Sequence, residues 1–305
     1  MDKSFKSGFV GIIGKPNVGK STLLNKLIGQ KIAIISSKPQ TTRGKILAIM
    51  TEENAQIVFL DTPGFHKPKN KLGETMIKTV NDTIADVDML LMVVEPDLIS
   101  NKAEEIIIDK AGDIPCILVI NKCDTVRHDE ILQVIDFYSK KYGFKDVVPI
   151  SAKTGEGIEV LKKLLKDSLS EGPMFYPEEM ITDQQEKQIV SEIIREKILR
   201  LLDKEVPHGI AVEILQMKYN ENKNLYNISA NIYCEKNSHK GIIIGSGGAM
   251  LKKIGTYARQ DCENLLDSKV NLELWVKVKQ DWRNSNNLMK ELGIGEDSKT
   301  DFSDI

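Results

Sequence analysis

Residues 14–21 read Gly-Lys-Pro-Asn-Val-Gly-Lys-Ser, between the apolar run Phe9–Ile13 and a stretch with helical spacing, Lys20–Ile28. This pattern, Gly-(four residues)-Gly-Lys-Ser, constrains the fold more than any other stretch, because it works only as strand, tight loop and helix in that order. Glycines let the loop turn with positive φ and bring its N–H groups against an anion. The helix that follows points its positive end at the same place. Lys20 supplies a point charge for the β- and γ-phosphates of a nucleotide, and Ser21 a hydroxyl for Mg²⁺. Gly14, Lys15, Pro16, Asn17, Val18, Gly19, Lys20, Ser21 and Thr22 are therefore expected to line a nucleoside triphosphate.

Three later motifs narrow the ligand. Asp61-Thr62-Pro63-Gly64 follows the strand-like Gln56–Leu60. An aspartate at a strand tip can hold Mg²⁺ through a water. The N–H of Gly64 can bond a γ-phosphate, a bond lost when that phosphate leaves. Thr62, Pro63 and Phe65 are counted with the same site. Asn121-Lys122-Cys123-Asp124 follows the apolar run Cys116–Ile120. Asp124 can accept hydrogen bonds from guanine N1–H and the 2-amino group. Adenine lacks both donors, and a site built on a buried hydrogen bond strongly rejects the analogue without it. Lys122 can lay its stem over the ring, and Asn121 can tie neighbouring loops together. Ser151-Ala152-Lys153 offers backbone N–H groups toward guanine O6. All these pieces fall at the carboxyl ends of expected strands, where open α/β sheets bind ligands. The polar loop 36–44 carries Thr41 and Thr42. A threonine there reaches Mg²⁺ only when a γ-phosphate is present; Thr42 is the first choice and Thr41 the second. Lys20, Thr42 and Gly64 are thus the expected catalytic groups, and Ser21, Thr42 and Asp61 (through water) the expected metal set.

Strand-like and helical stretches alternate through the first 170 residues, and Met89–Val94 and Cys116–Ile120 are continuously apolar. That is the signature of parallel strands buried on both faces, in a P-loop doubly wound α/β domain over residues 1–171. Gly172–Pro177 holds two prolines and reads as the start of a linker, 172–182. Beyond it the order changes. A long amphipathic helix is expected over 183–203, strands near 210–217 and 226–234, a glycine turn at 245–248, a helix over 249–266 and a strand at 270–279. This is a smaller α+β domain over 183–283, with a short extra helix before the glycines. Residues 284–305 are expected to be an acidic, flexible tail, since from Glu291 onward there are five acids and one lysine.

Gly245-Ser246-Gly247-Gly248 lies between the apolar run Ile242–Ile244 and a helix. Small residues there let the backbone of a single nucleic-acid strand approach closely, and helix-start N–H groups can meet a phosphate. Lys240, Lys252 and Lys253 border the loop, and Lys277, Lys279 and Arg283 extend the basic set. Residues 239–283 carry eight Lys/Arg and five Asp/Glu, a net of +3 (8 − 5), against −2 for the whole chain. The expected ligand is single-stranded nucleic acid, RNA before DNA. With 41% hydrophobic and 28% charged residues and no run of 18 apolar residues, the chain is expected to be soluble. Its four cysteines show no metal-knuckle spacing and its four histidines are scattered, so free buried thiols in a reducing cytosol are expected, with no zinc site.

Taken together, Asn17-Val18-Gly19-Lys20-Ser21, Pro39-Gln40-Thr41-Thr42-Arg43, Asp61-Thr62-Pro63-Gly64-Phe65-His66 and Asn121-Lys122-Cys123-Asp124 resemble the Era family of bacterial GTPases. The resemblance runs through the second domain to about residue 282. TrmE and Der GTPases share parts of the first domain but not this C-terminal order. The resemblance implies a type II KH domain and hydrolysis of GTP to GDP and phosphate. It also implies binding to 16S rRNA near its 3′ end on the 30S subunit, a role in small-subunit assembly, and a nucleotide state that switches this association. A cytoplasmic monomer with peripheral association at the inner face of the cell membrane completes the picture.

Two departures from Ras-type GTPases bear on the chemistry. Phe65 stands where Ras has the glutamine that orients the attacking water, and an apolar ring cannot do that; no arginine finger can be assigned either. Intrinsic hydrolysis is therefore expected to be slow. In related potassium-activated GTPases an asparagine at the place of Asn17 helps hold K⁺ beside the phosphates, which adds Asn17 to the expected catalytic and metal residues. Two other readings compete: a GTPase acting in tRNA modification, and a KH adaptor whose nucleotide domain is only structural. The first would need modification chemistry that no motif supplies, and the second is opposed by intact Lys20, Ser21, Asp61 and Asp124.

Overall fold

A computed structural model describes residues 4–38, 40–98, 102–203, 206–292 and 294; Pro39 and most of the acidic C-terminus lie outside the described residues. Strands β1 (Lys6–Gly14), β2 (Ile46–Glu52), β3 (Ala55–Asp61), β4 (Met89–Val94), β5 (Cys116–Ile120) and β6 (Asp146–Pro149) form a six-stranded sheet in the order β2-β3-β1-β4-β5-β6. β2 and β3 form an antiparallel hairpin, and the other pairs are parallel. Every residue of β4 is buried, as expected of a central strand covered on both faces. On one face α1 (Lys20–Ile28) and α5 (Ile158–Ser168) pack Leu23, Leu24, Leu161 and Leu165 onto the sheet. On the other, α2 (Lys71–Ala85), α3 (Lys102–Ala111) and α4 (His128–Lys141) supply Val80, Ile84, Ile107, Val134 and Tyr138. The strand order changes direction at β1, between β3 and β4. The loop leaving β1 therefore opens into a crevice at the carboxyl edge of the sheet.

The second unit runs α6 (Glu186–Leu201), β7 (Ala211–Asn220), β8 (Leu225–Cys234), α7 (Asn237–Ile244), α8 (Ala249–Leu266) and β9 (Lys269–Val278). Its sheet, β7-β8-β9, is antiparallel at the first pair and parallel at the second. Ile189, Ile193, Ile194 and Ile198 of α6 pack with Ile228, Ile232 and Ala258, giving this unit its own core. The helix is not simply amphipathic, however. Arg195, Glu196 and Lys197 are buried as well: Arg195 and Glu196 face Thr41 and Lys31 of the first domain, and Lys197 pairs with Asp261 of the second unit.

The linker lies against the first domain. Gln56 accepts from the N–H groups of Phe175 and Tyr176 at 2.8 and 3.0 Å, and Phe9 packs on Phe175 with ring centroids 5.0 Å apart. Ile49 donates its N–H to the Ile181 carbonyl at 2.9 Å, and Thr182 Oγ1 donates to the Leu47 carbonyl at 2.7 Å.

The tail departs from expectation. Asn286–Glu291 form a short helix, α9, with Ser285 accepting from Leu288 N–H as its cap. Met289 and Trp282 are buried against Leu72 and Met76 of α2. Apolar partners more than 200 residues away order a stretch whose local composition reads as solvated. The expectation for residues 295–305 lies outside the described residues. Among the described residues, no helix is long and apolar enough to cross a membrane, and no cluster of His, Cys, Asp and Glu could hold a metal. All four cysteines are free; burial pushes the thiols of Cys116 and Cys262 up to about 12, so neither is a poised nucleophile.

Candidate nucleotide site and glycine loop

The crevice after β1 brings the four separated motifs together. A cavity of about 260 Å³ is lined by Pro16, Asn17, Lys20, Ser21, Thr42 and Lys122, among others. Gly19 caps α1 with φ of 101°, and a Cβ there would sit 2.2 Å from Asn121 Nδ2. Only glycine can hold both that conformation and that approach. Asn121 is the tie expected of it: its Nδ2 donates to the Val18 carbonyl at 2.8 Å, and its Oδ1 accepts from Ala152 N–H at 2.9 Å. Phosphate loop, base-reading loop and the Ser151-Ala152-Lys153 turn are thus held by one side chain. Ser151 donates to Asp124 Oδ1 at 2.7 Å, which fixes the plane of the carboxylate expected to read guanine. Lys122 has a left-handed backbone, φ 66°, and its ammonium is paired with Glu95.

At the metal corner, Ser21 Oγ lies 2.9 Å from Thr42 Oγ1 and donates to Asp61 Oδ2 at 2.7 Å. Adjacent ligands on an octahedral Mg²⁺ with bonds of about 2.0–2.1 Å are separated by about 2.9 Å. The second Asp61 oxygen is buried with no hydrogen-bond partner among the described residues. The donor set therefore fits Mg²⁺, with Ser21 and Thr42 as hydroxyl ligands and Asp61 behind them. Burial pushes the Asp61 carboxyl up to about 6 against the pull of Lys20, and pushes the Lys20 ammonium down to about 8 against that of Asp61. Both charges are short of solvation. A cation beside Asp61 and an anion beside Lys20 would each favour the ionised form. Lys20 Nζ donates to the carbonyls of Gly14 and Lys15 at 3.1 and 2.9 Å.

Several expected ligand residues have internal partners. Lys15 turns its ammonium to Glu104 at 2.7 Å, which leaves its backbone for a phosphate. Phe65 packs its ring on the α2–α4 core and donates its N–H to the Gly14 carbonyl at 3.0 Å, so it belongs to the frame of the site. Asn17 donates from Nδ2 to the Ser37 carbonyl at 2.8 Å, which holds its side chain against the Thr42 loop with Oδ1 as the remaining donor for a cation. Thr41, the second choice for the metal, donates its hydroxyl to the Lys38 carbonyl at 2.6 Å. One contact had no signal in the sequence. His66 Nδ1 lies 2.8 Å from the Gly64 carbonyl and so must donate to it. Its Nε2 then accepts from the Gln40 amide at 3.0 Å, joining the two loops that would sense the γ-phosphate.

In the second unit, α7 ends on Gly245 and α8 begins after Gly248. Gly247 has φ of 57°, and a Cβ there would meet nothing within 4 Å. The loop thus presents bare backbone outward. Lys252 and Lys253 are exposed beside it and Lys240 is half-buried. Ile242 and Tyr257, 50% and 42% exposed on the flanking helices, are large apolar surfaces on which bases could lie. Arg283 does not extend the exposed basic set. It pairs with Glu235, with Nε at 3.0 Å from Oε1, and this ion pair neutralises the charge the sequence seemed to offer to RNA.

Fold and site together define a guanine-nucleotide-binding P-loop protein with an appended KH-type RNA-binding unit. Family profiles agree: one described as "50S ribosome-binding GTPase" matches residues 9–122, and one described as "KH domain" matches 205–283. GTPase Era of Clostridium kluyveri is 55% identical over 290 residues, covering 94% of this chain and 99% of that protein. GTPase Era of Clostridium botulinum strain Langeland is 54% identical over 291 residues, covering 95% and 98%. The crystal structure of Era in complex with MgGDPNP and nucleotides 1506–1542 of 16S ribosomal RNA superposes with a TM-score of 0.91 at 40% identity, covering 95% of this chain and 99% of that one. A variant of Aquifex aeolicus Era bound to GDP and AlF4⁻ gives the same figures. The chain belongs to the Era family of GTPases.

Proposed function

We propose that this GTPase binds 16S rRNA near its 3′ end through the 245–248 loop and acts in assembly of the 30S subunit, with the bound nucleotide controlling its association. The observation that carries this reading is the full-length likeness to an Era solved with both a GTP analogue and a 16S rRNA segment. The grouping of Ser21, Thr42 and Asp61 with Asp124 in one domain, and the Gly245–Gly248 loop in the other, supports a separate site for each ligand. Mg²⁺ would neutralise charge developing on the phosphates, Lys20 would add a second positive charge, and Gly64 would sense the γ-phosphate. On this reading the protein is a cytoplasmic monomer with peripheral contact at the inner membrane face. RNA affinity, measured with a non-hydrolysable GTP analogue, with GDP and without nucleotide, tests the switch. Binding is expected to be about 10-fold tighter with the analogue, within the usual span of coupling between sites. Equal affinities in all three would remove the switch.

K⁺ beside the phosphates is part of the same proposal. Asn17 reaches across to Ser37, so its Oδ1 sits at the junction of the phosphate loop and the Thr42 loop. A cation there supplies charge that Phe65 and the missing arginine finger do not. GTP turnover is expected to be at least about 10-fold faster in KCl than in NaCl at equal ionic strength, as one well-placed electrostatic stabiliser warrants. Asn17→Ala should abolish the difference. Identical wild-type rates in the two salts would sink the role.

A further inference from the structure

The described residues of the loop that carries Thr42, 31–38 and 40–43, form no strand or helix of their own. The first domain holds it on one side, through Asn25, Asn17, His66 and Ser21, and the second domain holds it on the other. Lys31 pairs with Glu196 and Asp261, each at 2.6 Å. Ile35 N–H donates to Glu196 Oε1 at 3.2 Å, and the Ile35 carbonyl accepts from Arg200 Nε at 3.1 Å. Lys38 pairs with Asp203 at 2.6 Å. The last two ties flank Thr42 itself. Arg195 of α6 donates Nη2 to the Thr41 carbonyl while Glu192 holds its Nε at 2.8 Å. Arg43 crosses in the opposite direction: its Nη1 and Nη2 donate to the carbonyls of Ile210 and His208 at 2.6 and 3.0 Å, and its guanidinium lies 5.4 Å from the centroid of the Trp282 ring.

Arg43 and Arg195 are 7% and 2% exposed. Two buried like charges are an expensive way to join domains. Each also leaves one N–H without a partner among the described residues, Nε of Arg43 and Nη1 of Arg195. Apolar side chains would join the domains at lower cost. What a guanidinium adds is direction: it fixes a particular carbonyl. The carbonyl that Arg195 fixes belongs to the peptide between Thr41 and Thr42. Where that peptide is held, the Thr42 hydroxyl sits beside Ser21 in the place expected of a metal ligand.

We propose that Arg195, a residue of the RNA-binding domain, is a positioning residue for GTP: by holding the Thr41 carbonyl it keeps Thr42 at the metal corner and so sets the preference for triphosphate over diphosphate. This rests on Thr42 being a metal ligand of the triphosphate state. Ordering the 31–43 loop before the nucleotide arrives removes part of the entropic cost of closing it on a γ-phosphate. GDP makes no demand on Thr42 and gains nothing from the tie.

Equilibrium titration of the full chain with fluorescent GDP and a fluorescent non-hydrolysable GTP analogue, both with Mg²⁺, tests it in wild type, Arg195→Met, Thr42→Ala and the double variant. Losing a charge-assisted hydrogen bond warrants about a 10-fold weakening. Arg195→Met is expected to weaken the analogue by that factor and GDP by less than about two-fold. In the Thr42→Ala background it should add nothing further. Retained GDP binding certifies the fold. Should Arg195→Met fail to fold, Arg195→Lys carries the test, because lysine keeps the charge but lacks the planar fork with which Nε and Nη2 hold Glu192 while Nη2 reaches Thr41; a smaller shift in the same direction is expected. An unchanged analogue-to-GDP ratio in the arginine variants, with a changed ratio in Thr42→Ala, overturns the proposal alone. A full effect persisting in the Thr42→Ala background overturns it too. An unchanged ratio in Thr42→Ala removes the metal role of Thr42 and the proposal with it.

Discussion

Asp124→Asn is expected to lower GTP affinity by about 100-fold or more while improving binding of xanthosine triphosphate. The carboxylate is expected to accept from two guanine donors, and Ser151 donates to it at 2.7 Å, which holds its plane against turning away from a bad partner. Asparagine keeps one acceptor and sets an N–H against the guanine 2-amino group. The loss combines a charge-assisted hydrogen bond, about 1.5–3 kcal/mol, with a buried donor left unpaired, about 1–3 kcal/mol. Together these come to about 2.5–6 kcal/mol, a range that takes in the roughly 2.7 kcal/mol that 100-fold requires. Xanthine carries a carbonyl at position 2, which the new N–H would meet as an acceptor. Competitive titration with the two triphosphates checks this, and a preference for GTP retained at wild-type strength would show that another group reads the base.

Gly247→Asp is expected to weaken RNA binding by about 10- to 100-fold without touching GTP turnover in the absence of RNA. The position accepts the change sterically: its φ of 57° is one that aspartate tolerates, and a Cβ there meets nothing within 4 Å. The domain should therefore fold. The new carboxylate would stand where an incoming phosphate must come close, among the lysines that now favour it. Gly247→Asn controls for shape, and the gap between the Asp and Asn variants should shrink as salt is raised. Equal RNA affinity for wild type and Gly247→Asp would exclude this loop from the interface.

The parts of the site that were legible in sequence are those whose chemistry is written in consecutive residues. Gly14–Ser21, Asp61–Gly64 and Asn121–Asp124 each make a loop whose backbone geometry and ligand atoms are local, and each followed a recognisable apolar strand. Even the tie made by Asn121 could be foreseen, because its place between two loops leaves it little else to do. What could not be read are pairings across distance. Arg195 and Glu196 read as solvated charges on a helix until the first domain is set against them. The same gap hid the partner of Arg43, the ion pair that withdraws Arg283 from RNA, and the His66–Gln40 bridge. The short helix at 286–291 is not legible locally because its burial depends on Leu72 and Met76. In each case the side chain's type was visible and its neighbour was not.

The joint between the two domains has a consequence for anyone wishing to separate them. β2 is the outermost strand of the large sheet, and residues 181–182 run along its open side, while Phe175, Tyr176 and Met180 cover Leu47, Ile49, Val58 and Leu60. An outer strand with unpaired N–H and C=O groups is a template for another chain to add to. A chain ended at residue 171, where the fold of the nucleotide domain looks complete, would bare both that template and the apolar patch beside it. It would self-associate. Carried on to residue 183, the same domain keeps its cover: the connecting segment serves as the guard that keeps the sheet from growing.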